Sequence, residues 1–165
     1  MEKIIRGLYL GSDADVSEAK ARGYARLTAA KDGPDGHRAM LGYTTLGAPK
    51  DADYYFARRG DWMALNLIDV SDPDMIPDTA IDAGLKFIKE EMDKGNKVLV
   101  HCNAGHSRGP TTVMMYLRAI GELPYSFRRA ELFFRDVLYS KYDPGVGMRS
   151  HAQVRWNDLQ DFFKK

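Results

Sequence analysis

Apolar positions fall into two kinds of run along this chain. Short dense runs of aliphatic and β-branched residues at 63–68 and 98–101 read as buried strands, and 7–10 and 25–29 read the same way. Residues 43–46 are a candidate for one more. Other segments repeat their apolar positions every three or four residues, as amphipathic helices do. These are Ile81, Leu85, Ile88 and Met92 within 79–94; the stretch 111–118 behind Pro110; and an inward face of Ala130, Phe133, Phe134 and Val137, while a short helix with Ala14, Val16, Ala19 and Ala21 follows the first strand. Asp143-Pro144-Gly145 closes that region before a last helix carrying Val154, Trp156, Leu159 and Phe162. Strands alternating with helices predict one α/β domain over residues 1–165, with a central, mainly parallel, twisted sheet of about five strands flanked by helices on both faces. Such sheets present ligands at the carboxyl ends of their strands. Asp69 and Cys102 both fall there.

Composition narrows the function classes. Twenty-four Lys and Arg against 23 Asp and Glu leave a net charge of +1, too small for the broad basic field that nucleic acid needs. The segment 1–6 lacks the apolar run of a signal peptide, and no stretch approaches membrane-spanning length. A soluble cytoplasmic protein with no membrane or nucleic-acid partner is expected. A single cysteine excludes an internal disulfide and leaves its thiol without a resolving partner, which suits a reducing compartment.

That cysteine carries the chemistry. In Val98-Leu99-Val100-His101-Cys102-Asn103-Ala104-Gly105-His106-Ser107-Arg108-Gly109 a strand opens into a small-residue loop ending in arginine, and Pro110 begins a helix whose positive end faces the same place. Asn103, Ala104, Gly105, His106, Ser107 and Arg108 are the candidate phosphate-binding residues, their backbone N–H groups curling round an anion. A helix amino end, inward amides and arginine favour the thiolate, so Cys102 is expected to be ionised at neutral pH. Arg108 can hold two phosphate oxygens with one planar fork. His101, Cys102 and His106 make a poor metal set, since adjacent residues on a strand-to-loop path face opposite ways. Among the carboxylates, Asp69, Asp72 and Asp74 follow the strand at 63–68 in a proline-containing loop. Arg58-Arg59, beside Tyr54, Tyr55 and Phe56, is a candidate for substrate recognition.

His101-Cys102-x5-Arg108 resembles the signature loop of the cysteine-dependent protein tyrosine phosphatase superfamily, and the short chain resembles its dual-specificity branch. Ile5-Arg6-Gly7-Leu8-Tyr9-Leu10-Gly11-Ser12 is similar to the opening strand pair of that branch, and Tyr116-Leu117-Arg118 and Ser126-Phe127-Arg128-Arg129-Ala130 to its two later helices. The segment 30–60 matches nothing specific. The resemblance implies a cysteinyl-phosphate intermediate, no cofactor or metal, a supporting rather than reacting His101, and an aspartic acid that protonates the leaving oxygen. Asp69 is favoured for that role, with Asp72 as runner-up and Asp74 third. It also implies a phosphorylated protein as substrate, carrying phosphotyrosine and also phosphoserine or phosphothreonine. A phosphoinositide or RNA 5′-phosphatase, or a weakly active phosphate-binding relative, are the alternatives. One departure matters: the family usually has Ser or Thr after the arginine, and this chain has Gly109. Ser107, Thr111 and Thr112 carry hydroxyls but none stands at the matched position, so hydrolysis of the intermediate is expected to be slower than its formation.

Overall fold

The structure, a computed structural model, describes residues 1–164. Its strands are β1 (Glu2–Ile5), β2 (Leu8–Ser12), β3 (Ala25–Thr28), β4 (Phe56–Arg59), β5 (Trp62–Leu65) and β6 (Val98–Cys102). They form one six-stranded sheet in the order β1-β2-β6-β3-β5-β4. The inner four run parallel, and β1 and β4 close the edges antiparallel. β6 is buried at all five positions, which explains its unbroken apolar run: a central parallel strand is covered on both faces. Val98 and Val100 join the main core, while Leu99 packs with Ala19 and Tyr24 in a smaller cluster on the other face.

The helices are α1 (Val16–Ala21), α2 (His37–Leu41), α3 (Asp78–Asp93), α4 (Arg108–Ala119), α5 (Phe127–Phe133) and α6 (Val146–Arg155). α3 turns Ile81, Leu85 and Ile88 inward as its spacing predicts. α4 is buried along its whole length after Arg108 and pins the back of the sheet. Among the described residues, no helix is long and apolar enough to cross a membrane.

Three expectations from periodicity fail, each for a local reason. Residues 43–46 form no strand, because their carbonyls are occupied otherwise: Arg38 donates to Tyr43, Thr45 and Leu46, and Lys31 Nζ to Leu46. The sixth strand is instead β4, a short edge whose Arg58 and Arg59 hide it from an apolar scan. Phe133, the last residue of α5, is 44% exposed, and Val137 is 64% exposed because α5 runs into a π turn, Phe134–Leu138, where 3.6-residue counting no longer places side chains. Val154 is 80% exposed, on the face of α6 opposite the buried Met148, His151 and Ala152.

His37 anchors the long β3–β4 connection and is fully buried. Its Nε2 donates to the Asp53 carbonyl at 2.7 Å, which leaves Nδ1 to accept from the Tyr43 hydroxyl at 3.0 Å. Burial pushes its pKa below the usual value of 6.5, against the opposing pull of the Asp53 carbonyl; burial does the same to His151, against Asp78. Folded protein therefore takes up fewer protons than unfolded chain just below pH 6.5, so this stabilisation is complete above that pH and declines as pH falls through it. The melting temperature is expected to drop between pH 7.5 and 5.5, and less so in His37→Gln; a flat profile would contradict the assignment.

Candidate active site

β6 delivers Cys102 to the carboxyl edge of the sheet, where Ser12 of β2 is its register partner. The thiol is 2% exposed, at the base of the loop 103–107 that leads into α4. Four of the loop's carbonyls are turned outward and taken. Asn103 O accepts from Asp13 N at 3.3 Å, Gly105 O from the Tyr139 hydroxyl at 2.8 Å, His106 O from Asp143 N at 2.9 Å and Ser107 O from Thr111 N at 2.9 Å. None of the amides of residues 103–107 donates to an acceptor among the described residues. A loop with most of its carbonyls engaged and its N–H groups unspent has the donors to cradle an anion. Gly105 makes the turn possible with φ +80°, and a Cβ there would press on the Gly11 carbonyl at 3.0 Å.

Arg108 closes the cradle. Its Nη1 donates to the Leu67 carbonyl at 3.0 Å and its Nη2 to Asn103 Oδ1 at 2.8 Å, which fixes the plane of the guanidinium. Its Nε is buried and has no protein partner among the described residues. Behind Cys102, the His101 ring is fully buried, with Nε2 2.8 Å from Thr28 Oγ1, which also accepts from Trp62 Nε1 at 3.1 Å. Its Nδ1 lies 3.3 Å from Asp13 Oδ1. Burial raises the Asp13 pKa, but the His101 ring and the Asn103 amide outweigh it and hold the carboxyl below the ordinary range.

The structure separates the carboxylates that follow β5. Asp69 accepts a hydrogen bond from Ser107 Oγ at 3.3 Å, and Ser107 Oγ in turn accepts from Gly145 N at 2.8 Å. A Cβ at Gly145 would overlap Asp69, so glycine there is what lets the carboxylate reach the loop. Asp72 is occupied with its own turn: its Oδ1 caps Asp74 N at 2.9 Å ahead of the 3-10 turn Pro73–Met75. Asp74 is exposed.

Other expected residues sort as follows. Ala104 and His106 are exposed on the rim, and His106 Nδ1 donates to the Lys141 carbonyl at 3.0 Å. His101, Cys102 and His106 therefore do not converge on one point. Arg58 is not available to substrate: it pairs with Glu90 at 3.0 Å and with buried Glu91 at 2.6 Å, and its guanidinium stacks over Phe87. That overturns Arg58 as a recognition residue, whereas Tyr54 and Tyr55 line a groove of about 340 Å³ with Asn66, Ile68 and Met75. A Cβ at Gly109 would stand 3.5 Å from Cys102 Sγ, so this is the place from which a hydroxyl would reach the sulfur. Ser107 and Thr112 spend their hydroxyls on Asp69 and on the Arg108 carbonyl; Thr111 Oγ1 is buried without a partner among the described residues.

Periodicity and motif spacing missed Asp13, Thr28, Tyr139 and Gly145. For Asp13 a signal existed: it follows a strand that lies parallel to β6, so the residues just past both strand ends meet.

No family model matches the chain. A tyrosine-protein phosphatase of Acanthamoeba polyphaga mimivirus is 41% identical over 46 residues, which is 28% of this chain and 22% of that protein. Solved structures align over nearly the whole length. The crystal structure of DUSP15 has a TM-score of 0.65 and 20% identity, covering 98% of this chain and 91% of that one. Human DUSP28 gives 0.64 and 16%, covering 97% and 98%, and a human tyrosine phosphatase-like serine/threonine/tyrosine-interacting protein gives 0.60 and 20%, covering 93% of each. The chain has the fold of the dual-specificity phosphatases.

Proposed function

We propose that this chain is a cysteine-dependent phosphatase of the dual-specificity type, hydrolysing phosphomonoesters on proteins. The observation that carries the reading is the cradle: unspent amides and the buried Arg108 Nε–H surround the end of β6 where the chain's single cysteine sits. The Cys102 thiolate attacks phosphorus and forms a P–S bond as the P–O bond breaks, while Asp69 gives its proton to the leaving oxygen. Asp69 then takes a proton from water, whose oxygen attacks phosphorus and expels the sulfur as thiolate. Arg108 and the loop amides hold the equatorial oxygens through both steps. The substrate class is phosphotyrosine together with phosphoserine and phosphothreonine, since a short chain lacks the insertions that would deepen the pocket. Asn103 and His106, where lysines would suit a phosphoinositide or an RNA 5′-phosphate, weigh against those substrates.

The test is a time course of p-nitrophenol release from p-nitrophenyl phosphate, with chelator and reductant present. A burst approaching one equivalent per enzyme followed by slower turnover is expected, because Gly109 supplies no hydroxyl to the departing thiolate. Gly109→Ser should raise the steady rate about tenfold and shrink the burst. Release of no nitrophenol by the wild type would overturn catalysis and favour a phosphate-binding module.

A further inference from the structure

Asp13 takes no part in the chemistry above, yet it is bound to the phosphate loop from outside. Its Oδ2 accepts from Asn103 Nδ2 at 3.0 Å, and its backbone N–H donates to the Asn103 carbonyl. The second hydrogen of Asn103 Nδ2 goes to the Asp32 carbonyl at 2.9 Å. Both partners of that nitrogen are pure acceptors, so the amide can face only one way. Its Oδ1 is left pointing at Arg108 Nη2, 2.8 Å away. Glycine at 33 is part of the same device, because a Cβ there would collide with Asn103 Nδ2.

We propose that Asp13 is a positioning residue for Arg108, acting through Asn103: its carboxylate locks the Asn103 amide in the orientation that presents an acceptor to the guanidinium. The proposal rests on the phosphatase reading of the site. A negative charge beside an anion cradle opposes the anion by Coulomb repulsion, so any gain from Asp13 must come through orientation. Arg108 has two anchors, the Leu67 carbonyl and Asn103 Oδ1, and no carboxylate among its hydrogen-bond partners. Losing the second anchor frees the guanidinium to swing about the first. Asp13 being held ionised fits the role, since a protonated carboxyl would offer a hydrogen where Asn103 needs an acceptor.

The experiment compares wild type, Asp13→Ala, Asp13→Asn, Asn103→Ala and the Asp13→Ala/Asn103→Ala double variant, reading tungstate affinity by calorimetry and kcat/KM for p-nitrophenyl phosphate. Asp13→Ala is expected to lose about tenfold in both, with a cooperative melt retained. Asp13→Asn, whose Oδ1 can still accept from Asn103, should recover most of the loss, and the double variant should be no worse than Asn103→Ala alone. A merely structural role would lower the melting temperature without changing tungstate affinity. Asp13→Ser, too short to reach Asn103, carries the same expectation if Asp13→Ala does not fold. Losses that add in the double variant, or Asp13→Ala within twofold of wild type, overturn the positioning role while leaving the phosphatase reading intact. A wild type that neither binds tungstate nor turns over overturns both.

Discussion

Serine at position 102 is expected to leave less than about one part in 10⁴ of wild-type turnover on p-nitrophenyl phosphate. Serine keeps the shape of cysteine with a smaller atom at its tip, so the cradle should survive the change, but a serine hydroxyl holds its proton at neutral pH and attacks phosphorus poorly. With no second cysteine in the chain, nothing else can take over as a thiol nucleophile. Tungstate should bind Cys102→Ser about as well as wild type, because the loop amides and Arg108 are untouched. The pairing of lost turnover with retained anion binding is the informative result. Equal turnover by the two proteins, with chelator present, would remove Cys102 from the mechanism.

Substituting Asp69 by alanine is expected to lower kcat on p-nitrophenyl phosphate about a hundredfold, and further on alkyl phosphates whose leaving oxygens need a proton more. Asp72→Ala provides the contrast. Removing that carboxylate strips the cap from the 3-10 turn at Pro73, a stability cost of about 1 kcal/mol, and should leave kcat within a few-fold of wild type. Asp69 touches Ser107 of the loop that follows Cys102 and Asp72 does not, which is why the two variants should part so widely. The reverse pattern would transfer the acid role to Asp72.

What the sequence reveals of this molecule depends on how far apart the interacting residues lie. The proposed nucleophile, the arginine and the turn-forming Gly105 sit within seven consecutive positions, so residue type and spacing together single them out. Buried strands such as β6 are equally plain, since both faces demand apolar residues. β4 is not, because an edge strand asks little of its outward side, and Arg58 answers to Glu90 and Glu91 on α3 rather than to a strand pattern. The π turn after α5 breaks a stripe that extrapolates well until Phe133. Asp13 and Tyr139 reach the loop across 90 and 34 residues; only the pairing of β2 with β6 points to the first, and no local rule anticipates the second.

Those same outer contacts bear on how the protein acquires its selectivity while folding. The loop's carbonyls are tied to residues 13, 139 and 143, so the cradle exists only after segments on both sides of it in sequence have docked. A partly folded chain that has formed β6 and α4 alone would expose a bare thiol, open to any electrophile or oxidant, with no preference for phosphate. An oxyanion that needs the completed loop would bind the docked arrangement in preference to its precursors, and so favour the docked state by mass action. If the loop binds oxyanions as proposed, phosphate in the surroundings would raise the share of chains whose sulfur is buried, and the melting temperature would climb with phosphate concentration.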